Sequence, residues 1–228
     1  MSQFWFTSLL ALCSAAASLI VPSELSNLIT PETQLVRRQT LTTNATGTIG
    51  SNYYSLWDQA DAGVTMNLNY GQYRLSWSSV SERFIGGMGW VTGSNRLVVF
   101  SGEFNPSGNA YFSVYGWTTD PLVEYYICEA FGTYNPGTGL THMGTLSSDQ
   151  GTYDIYQTVR TNASSILGTQ TFKQFWSVRQ STRTSGVVTT ANHFNAWASL
   201  GMAMGTFNYQ IIATEGHQGS GSSFAEVY

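Results

Sequence analysis

A chain of 228 residues is long enough for one well-packed domain and short for two. Charged residues make up only 10% of it while aromatics reach 14%, the reverse of a disordered chain. The net charge of -4 and a single lysine, Lys173, exclude nucleic acid as the partner, because phosphate binding needs clustered cations.

The chain opens on an export pattern. Phe4 to Leu12 is an apolar run too short to span a bilayer, and Ala15, Ala16 and Ala17 supply small residues for cleavage, so residues 1–18 read as a signal peptide. Residues 19–38 then read as a pro-segment ending at the dibasic pair Arg37-Arg38, with a mature N-terminal arm as the other reading. Residues 39–228 form a single domain. No later hydrophobic segment is long enough to anchor it, which predicts a secreted, extracellular protein with no membrane partner. Cys13 falls in the signal, leaving Cys128 as a small buried residue in an apolar strand.

From Asn52 onward, β-branched and aromatic runs alternate with Gly, Ser, Asn and Pro turns. Strands are predicted at Leu97–Phe100, Ala110–Trp117, Val123–Glu129, Gly151–Tyr156, Thr171–Val178 and Phe207–Glu215. Their spacing predicts an all-β sandwich. One helix is predicted over Ala191–Leu200: Phe194, Trp197 and Ala198 fall at i, i+3 and i+4, Thr189-Thr190 can cap it, and Gly201 stops it.

Side chains alternate faces along a strand. Glu124, Tyr126 and Cys128 therefore share one face of their strand, Tyr209, Ile211, Ala213 and Glu215 share one face of theirs, and Tyr111, Ser113, Tyr115 and Trp117 line up between. Two glutamates in strands, each with tyrosines beside it, outline an aromatic-walled groove. Sugar faces stack on such rings, and a carboxyl pair is the equipment of a glycosidase, one group protonated and one ionised. The pattern by itself leaves a lectin-like sandwich equally open.

Local sequences narrow the choice. Phe84-Ile-Gly-Gly-Met-Gly-Trp90, Ser113-Val-Tyr-Gly-Trp117, Pro121-Leu-Val-Glu-Tyr-Tyr-Ile127, Phe131-Gly-Thr-Tyr-Asn-Pro136, Tyr153-Asp-Ile-Tyr156, Phe175-Trp-Ser-Val-Arg179, Thr182-Arg-Thr-Ser-Gly186, Ala191-Asn-His-Phe-Asn-Ala-Trp197 and Ala213-Thr-Glu-Gly216 occur in that order. In these stretches, from about Asn52 to the C-terminus, the chain resembles the glycoside hydrolase family 11 xylanases. The resemblance implies a β-jelly roll of two twisted antiparallel sheets with one short helix and a thumb hairpin over a cleft. It implies retaining hydrolysis of internal 1,4-β linkages in xylan and xylo-oligosaccharides by a monomer without metal or cofactor. Glu124 matches the family's nucleophile and Glu215 its acid/base. Trp57, Tyr115, Tyr126, Arg160, Gln174 and Tyr209 match substrate-binding positions, with Tyr209 near the acid/base.

Two positions depart from that pattern. Arg83 stands where the family has Asn or Asp beside the acid/base, and a nearby guanidinium lowers a carboxyl pKa. That predicts weak or acid-confined turnover, and with it the alternative of a xylan-binding or plant-sensed protein, unless a bulge turns Arg83 outward. In the thumb, Ser164 replaces a proline, which loosens the tip and creates the glycosylation acceptor Asn162-Ala-Ser164; Asn44-Ala-Thr46 is a second one. The histidines His142, expected in a loop, His193 and His217 have no metal-ligand spacing.

Overall fold

Alternating apolar residues with turn residues between them commit the chain to hairpins, and the length of three of its strands turns those hairpins into a sandwich. The computed structural model describes residues 38–59 and 63–228. The signal and pro-segment expected before Arg38, with Cys13, lie outside the described residues. The strands are β1 (Gln39–Leu41), β2 (Ala45–Ile49), β3 (Asn52–Asp58), β4 (Val64–Asn69), β5 (Gln72–Trp90) and β6 (Leu97–Thr119). They continue as β7 (Val123–Phe131), β8 (Thr141–Ser148), β9 (Gly151–Ser165), β10 (Gly168–Arg179), β11 (Gly186–Thr189) and β12 (Thr206–Val227), with the helix α1 (Thr190–Ser199) before the last. Each predicted strand lies inside one of these.

Hydrogen bonding links the strands into one 12-stranded sheet. Residues 72–77 of β5 pair with β4 and the far end of β12, whereas residues 83–90 pair with β3 and the near end of β12. In β6, residues 97–108 pair with β11 and the far end of β12, and residues 110–119 with its near end and with β7. The register of β12 slips between Gly216 and Gly221, beside Val80 and Gly108. Extra residues in a strand bend and twist it, so the three long strands turn together there and the sheet doubles into the two layers of a jelly roll. One pair departs from the antiparallel expectation: β7 and β10 run parallel. Parallel neighbours need a long connection, and the hairpin of β8 and β9 supplies it.

The main core holds Met66, Leu75, Phe100, Phe112, Tyr125, Ile127 and Ile212, all buried. Each such side chain contributes about 1.5–3 kcal/mol through burial. The helix adds Phe194 and Trp197 against Tyr125 and Phe175, with ring centroids 5.3 to 6.2 Å apart. Gly201 ends it as expected, at φ 75°. Thr189 does not cap it: its hydroxyl donates to Asp149 Oδ1 at 2.7 Å and its N–H to Oδ2 at 2.8 Å, tying the helix start to the β8–β9 turn instead. Beside it Glu129, fully buried, is paired with Arg183 and accepts from the Tyr153 hydroxyl at 2.7 Å. His142 lies in edge strand β8 rather than a loop, 3.7 Å from Asp154.

Candidate active site

The second apolar cluster, with Ile85, Tyr115, Trp117, Tyr126, Cys128, Ile211 and Ala213, lies on the opposite face of the strands from the main core. Cross-strand register assembles a groove there. Trp57, Ile85, Glu215 and Tyr111 form one row across β3, β5, β12 and β6. Ile211, Tyr115, Tyr126 and Trp176 form another, and Trp117, Glu124 and Gln174 a third. The floor needs Gly87 and Gly89, because a Cβ at either would lie 2.1 or 2.4 Å from a carbonyl of β12. The resulting cleft has a volume of about 920 Å³. The β9–β10 thumb overhangs it with residues 160–166, and the Ser165 hydroxyl closes the tip by donating to Gly168 O at 2.7 Å and accepting from Leu167 N at 3.0 Å.

The two glutamates meet different surroundings. Glu124 accepts from Gln174 Nε2 at 2.5 Å on Oε2, and from the hydroxyls of Tyr115 at 2.8 Å and Tyr126 at 3.0 Å on Oε1. Burial raises its pKa, while these three donors and the charge of Arg160 lower it. Glu215 has an Oε2 sealed from solvent without a hydrogen-bond partner. Burial first and the Glu124 charge second raise its pKa to about 7, against the opposing pull of Arg83, Tyr126 and Arg160. Donors favour a carboxylate and a dry, unpartnered oxygen favours the acid, so the shared charge resides on Glu124 and the proton on Glu215. The Tyr126 hydroxyl contacts both. The two carboxyls line one cleft, near enough for the charge of Glu124 to raise the pKa of Glu215.

The other expected residues fall around this pair. Trp57 offers a half-buried ring in the Glu215 row, and Arg160, also half-buried, lines the cleft from the thumb. Tyr209 packs 5.5 Å from Tyr53 and 6.0 Å from Tyr115. It lines the same cleft as both glutamates, and the charge of Glu124 acts on its hydroxyl. Asn44 and Asn162 are exposed at the cleft margin, Asn44 accepting from Asp58 N at 2.5 Å. Cys128 is buried, and burial pushes its thiol up to about 12.

Arg83 requires a correction. The register slips between Trp77 and Arg83 do not turn it away: pairing is regular from Glu215–Ile85 to His217–Arg83, and Arg83 lines the cleft. Yet Glu215 still holds its proton to about 7, because burial and the neighbouring carboxylate outweigh the guanidinium. The expectation of acid-confined turnover, and the weak-turnover alternative built on it, lose their basis.

The cleft holds three further aromatics: strand alternation already places Trp117 on the face of Tyr115, while Tyr53 and Trp176 carry no assignment to it from the sequence. Tyr53 stacks beside Tyr209, Trp117 Nε1 donates to the Tyr115 hydroxyl at 2.6 Å, and Trp176 lies flat on Tyr126 with centroids 3.7 Å apart and planes within 4°. Alternation marks Trp176 as well, since it follows Gln174 by two.

An aromatic groove with a charge on one carboxyl and a proton on its neighbour is the working geometry of glycoside cleavage, and the class this fold and site define is a glycosidase. Comparison with known proteins agrees: the family described as "Glycosyl hydrolases family 11" matches residues 50–226. The chain belongs to that family. It is 49% identical over 223 residues to "Endo-1,4-beta-xylanase 11A" of Botryotinia fuckeliana (strain B05.10), covering 97% of this chain and 98% of that protein. It is 49% identical over 224 residues to "Endo-1,4-beta-xylanase 2" of Rhizopus oryzae, with the same coverage. Among solved structures, one from a comparison of two major endo-1,4-beta-xylanases of Trichoderma reesei superposes with a TM-score of 0.71 at 45% identity. It covers 81% of this chain and 99% of its own.

Proposed function

We propose that this protein hydrolyses internal 1,4-β-D-xylosidic bonds of xylan and xylo-oligosaccharides with retention of anomeric configuration, acting after export as a monomer. One observation carries the mechanism: Glu124 and Glu215 line one cleft, and the charge of Glu124 helps to hold the proton on Glu215. Double displacement calls for carboxyls about 5–5.5 Å apart, with no room for water between nucleophile and sugar, and the electrostatic coupling of Glu124 to Glu215 supports that closeness. Glu124, ionised and held by three donors, attacks the anomeric carbon while Glu215 gives its proton to the leaving oxygen. The same Glu215, now a carboxylate, takes a proton from water as that water attacks the glycosyl–Glu124 ester. Glu124 leaves as a carboxylate and Glu215 regains its proton. Trp57, Tyr209, Arg160 and Gln174 hold the sugar chain along the cleft.

The test is purified mature protein on xylan beside Glu124→Gln and Glu215→Gln. The wild type should lower viscosity early and release short oligosaccharides. Glu215→Gln should lose on the order of 10²–10⁴ in rate on unactivated substrate, and Glu124→Gln nearly all turnover. Full activity in either variant removes that residue from its role.

A further inference from the structure

The charges lining the cleft do not balance for a neutral substrate. Among the described residues, four side chains of formal charge line it: Glu124, Glu215, Arg83 and Arg160. With Glu215 protonated, one carboxylate faces two guanidinium groups, an excess of positive charge in a chain whose net charge is -4. Arg160 acts on Glu124, whose ionised form it favours. Arg83 is left over. It is half-buried, and its guanidinium forms no hydrogen bond or ion pair with any described residue. Glu82, next to it in sequence, is exposed and does not pair with it. His217, directly across on β12, is held toward its neutral form by burial and by Arg83 itself.

Its position is defined by the sheet. Arg83 shares the cleft face of β5 with Ile85, the cross-strand partner of both Trp57 and Glu215. Two residues of strand displace it by about 7 Å, the order of one pyranose ring along the groove. A partly desolvated, unpaired guanidinium is costly to keep beside a general acid that it weakens, and it offers a planar fork that fits a carboxylate with two parallel hydrogen bonds.

We propose that Arg83 is a specificity-determining residue that binds a carboxylate carried on the polysaccharide, so that the cleft selects xylan bearing uronic acid substituents over neutral chains. This rests on the hydrolase reading above and names the substrate class within it. The carboxylate docks on Arg83 while the sugar next to the scissile bond lies against Glu215, and the added attraction offsets the excess positive charge.

The experiment compares kcat/KM for a xylo-oligosaccharide carrying one uronic acid with the same compound after reduction of its carboxyl group to an alcohol. The pair has one shape and two charges, and at fixed pH the ratio cancels any change in Glu215 protonation. Wild type should favour the acidic compound roughly threefold to tenfold, with the preference shrinking as salt rises. Arg83→Gln should bring the ratio to about one, and Arg83→Lys should keep part of it. A wild-type ratio of one or less, or a ratio unchanged in Arg83→Gln, overturns the proposal while leaving hydrolysis intact. Cleavage of neither compound by wild type overturns the hydrolase reading and this assignment together.

Discussion

Replacing Glu124 by Gln tests the coupling on which the proton inventory depends. The substitution keeps shape and removes one negative charge. That charge is the second cause, after burial, of the raised pKa of Glu215. At the separation of about 5.5 Å that double displacement calls for and an effective dielectric of about 20, two carboxylates repel by about 3 kcal/mol, equivalent to about 2 pH units. Glu215 should therefore fall from about 7 to about 5 in Glu124→Gln, remaining above an ordinary glutamate because its burial is unchanged. The variant is expected to be inactive, so the readout is a ¹³C NMR titration of the Glu215 side-chain carboxyl in both proteins. A Glu215 that still titrates near 7 in the variant refutes the reasoning: burial alone would then set its pKa, and the two groups would not share a site.

Three further outcomes follow from named contacts. Tyr126→Phe removes one donor to Glu124 and the hydroxyl touching Glu215 but keeps the ring stacked on Trp176; kcat should drop roughly 10- to 100-fold with little change in Tm, and a Tm loss matching the rate loss would contradict this. Arg183→Met leaves the buried Glu129 without its cation, costing about 3–5 kcal/mol and about 6–20 °C in Tm; an unchanged Tm would show that the pair carries no stability. His193 is buried and its pKa falls from 6.5 to about 3, so the unfolded chain binds the extra proton in that window and stability is lost as pH falls from about 6.5 toward 3. The urea midpoint should decline over that range in wild type and decline less in His193→Gln; equal slopes would refute the assignment.

Much of this site is legible in strand alternation, because alternation is a local property of the backbone. It puts Glu124 on the face of Tyr126 and Glu215 on the face of Ile211, and both faces prove to be the cleft. What alternation lacks is register between distant strands. The slips near residues 216–221 that fold the sheet over and the parallel pairing of β7 with β10 both arise from tertiary pairing. Arg83 illustrates a second limit. Its charge and its nearness to Glu215 can be read along the chain, but the burial that outweighs it belongs to the folded groove. The Glu129–Arg183 pair likewise joins residues 54 apart, with no local signal.

The pairing of Glu124 and Glu215 across one cleft is tested most directly by the stereochemistry of the first product. Proton NMR during the initial minutes of xylo-oligosaccharide cleavage should show the new reducing end as the β-anomer, with the α-anomer growing in only by mutarotation. Initial appearance of the α-anomer would mean that water attacks from between Glu124 and the sugar, and Glu124 could not be the nucleophile of a double displacement.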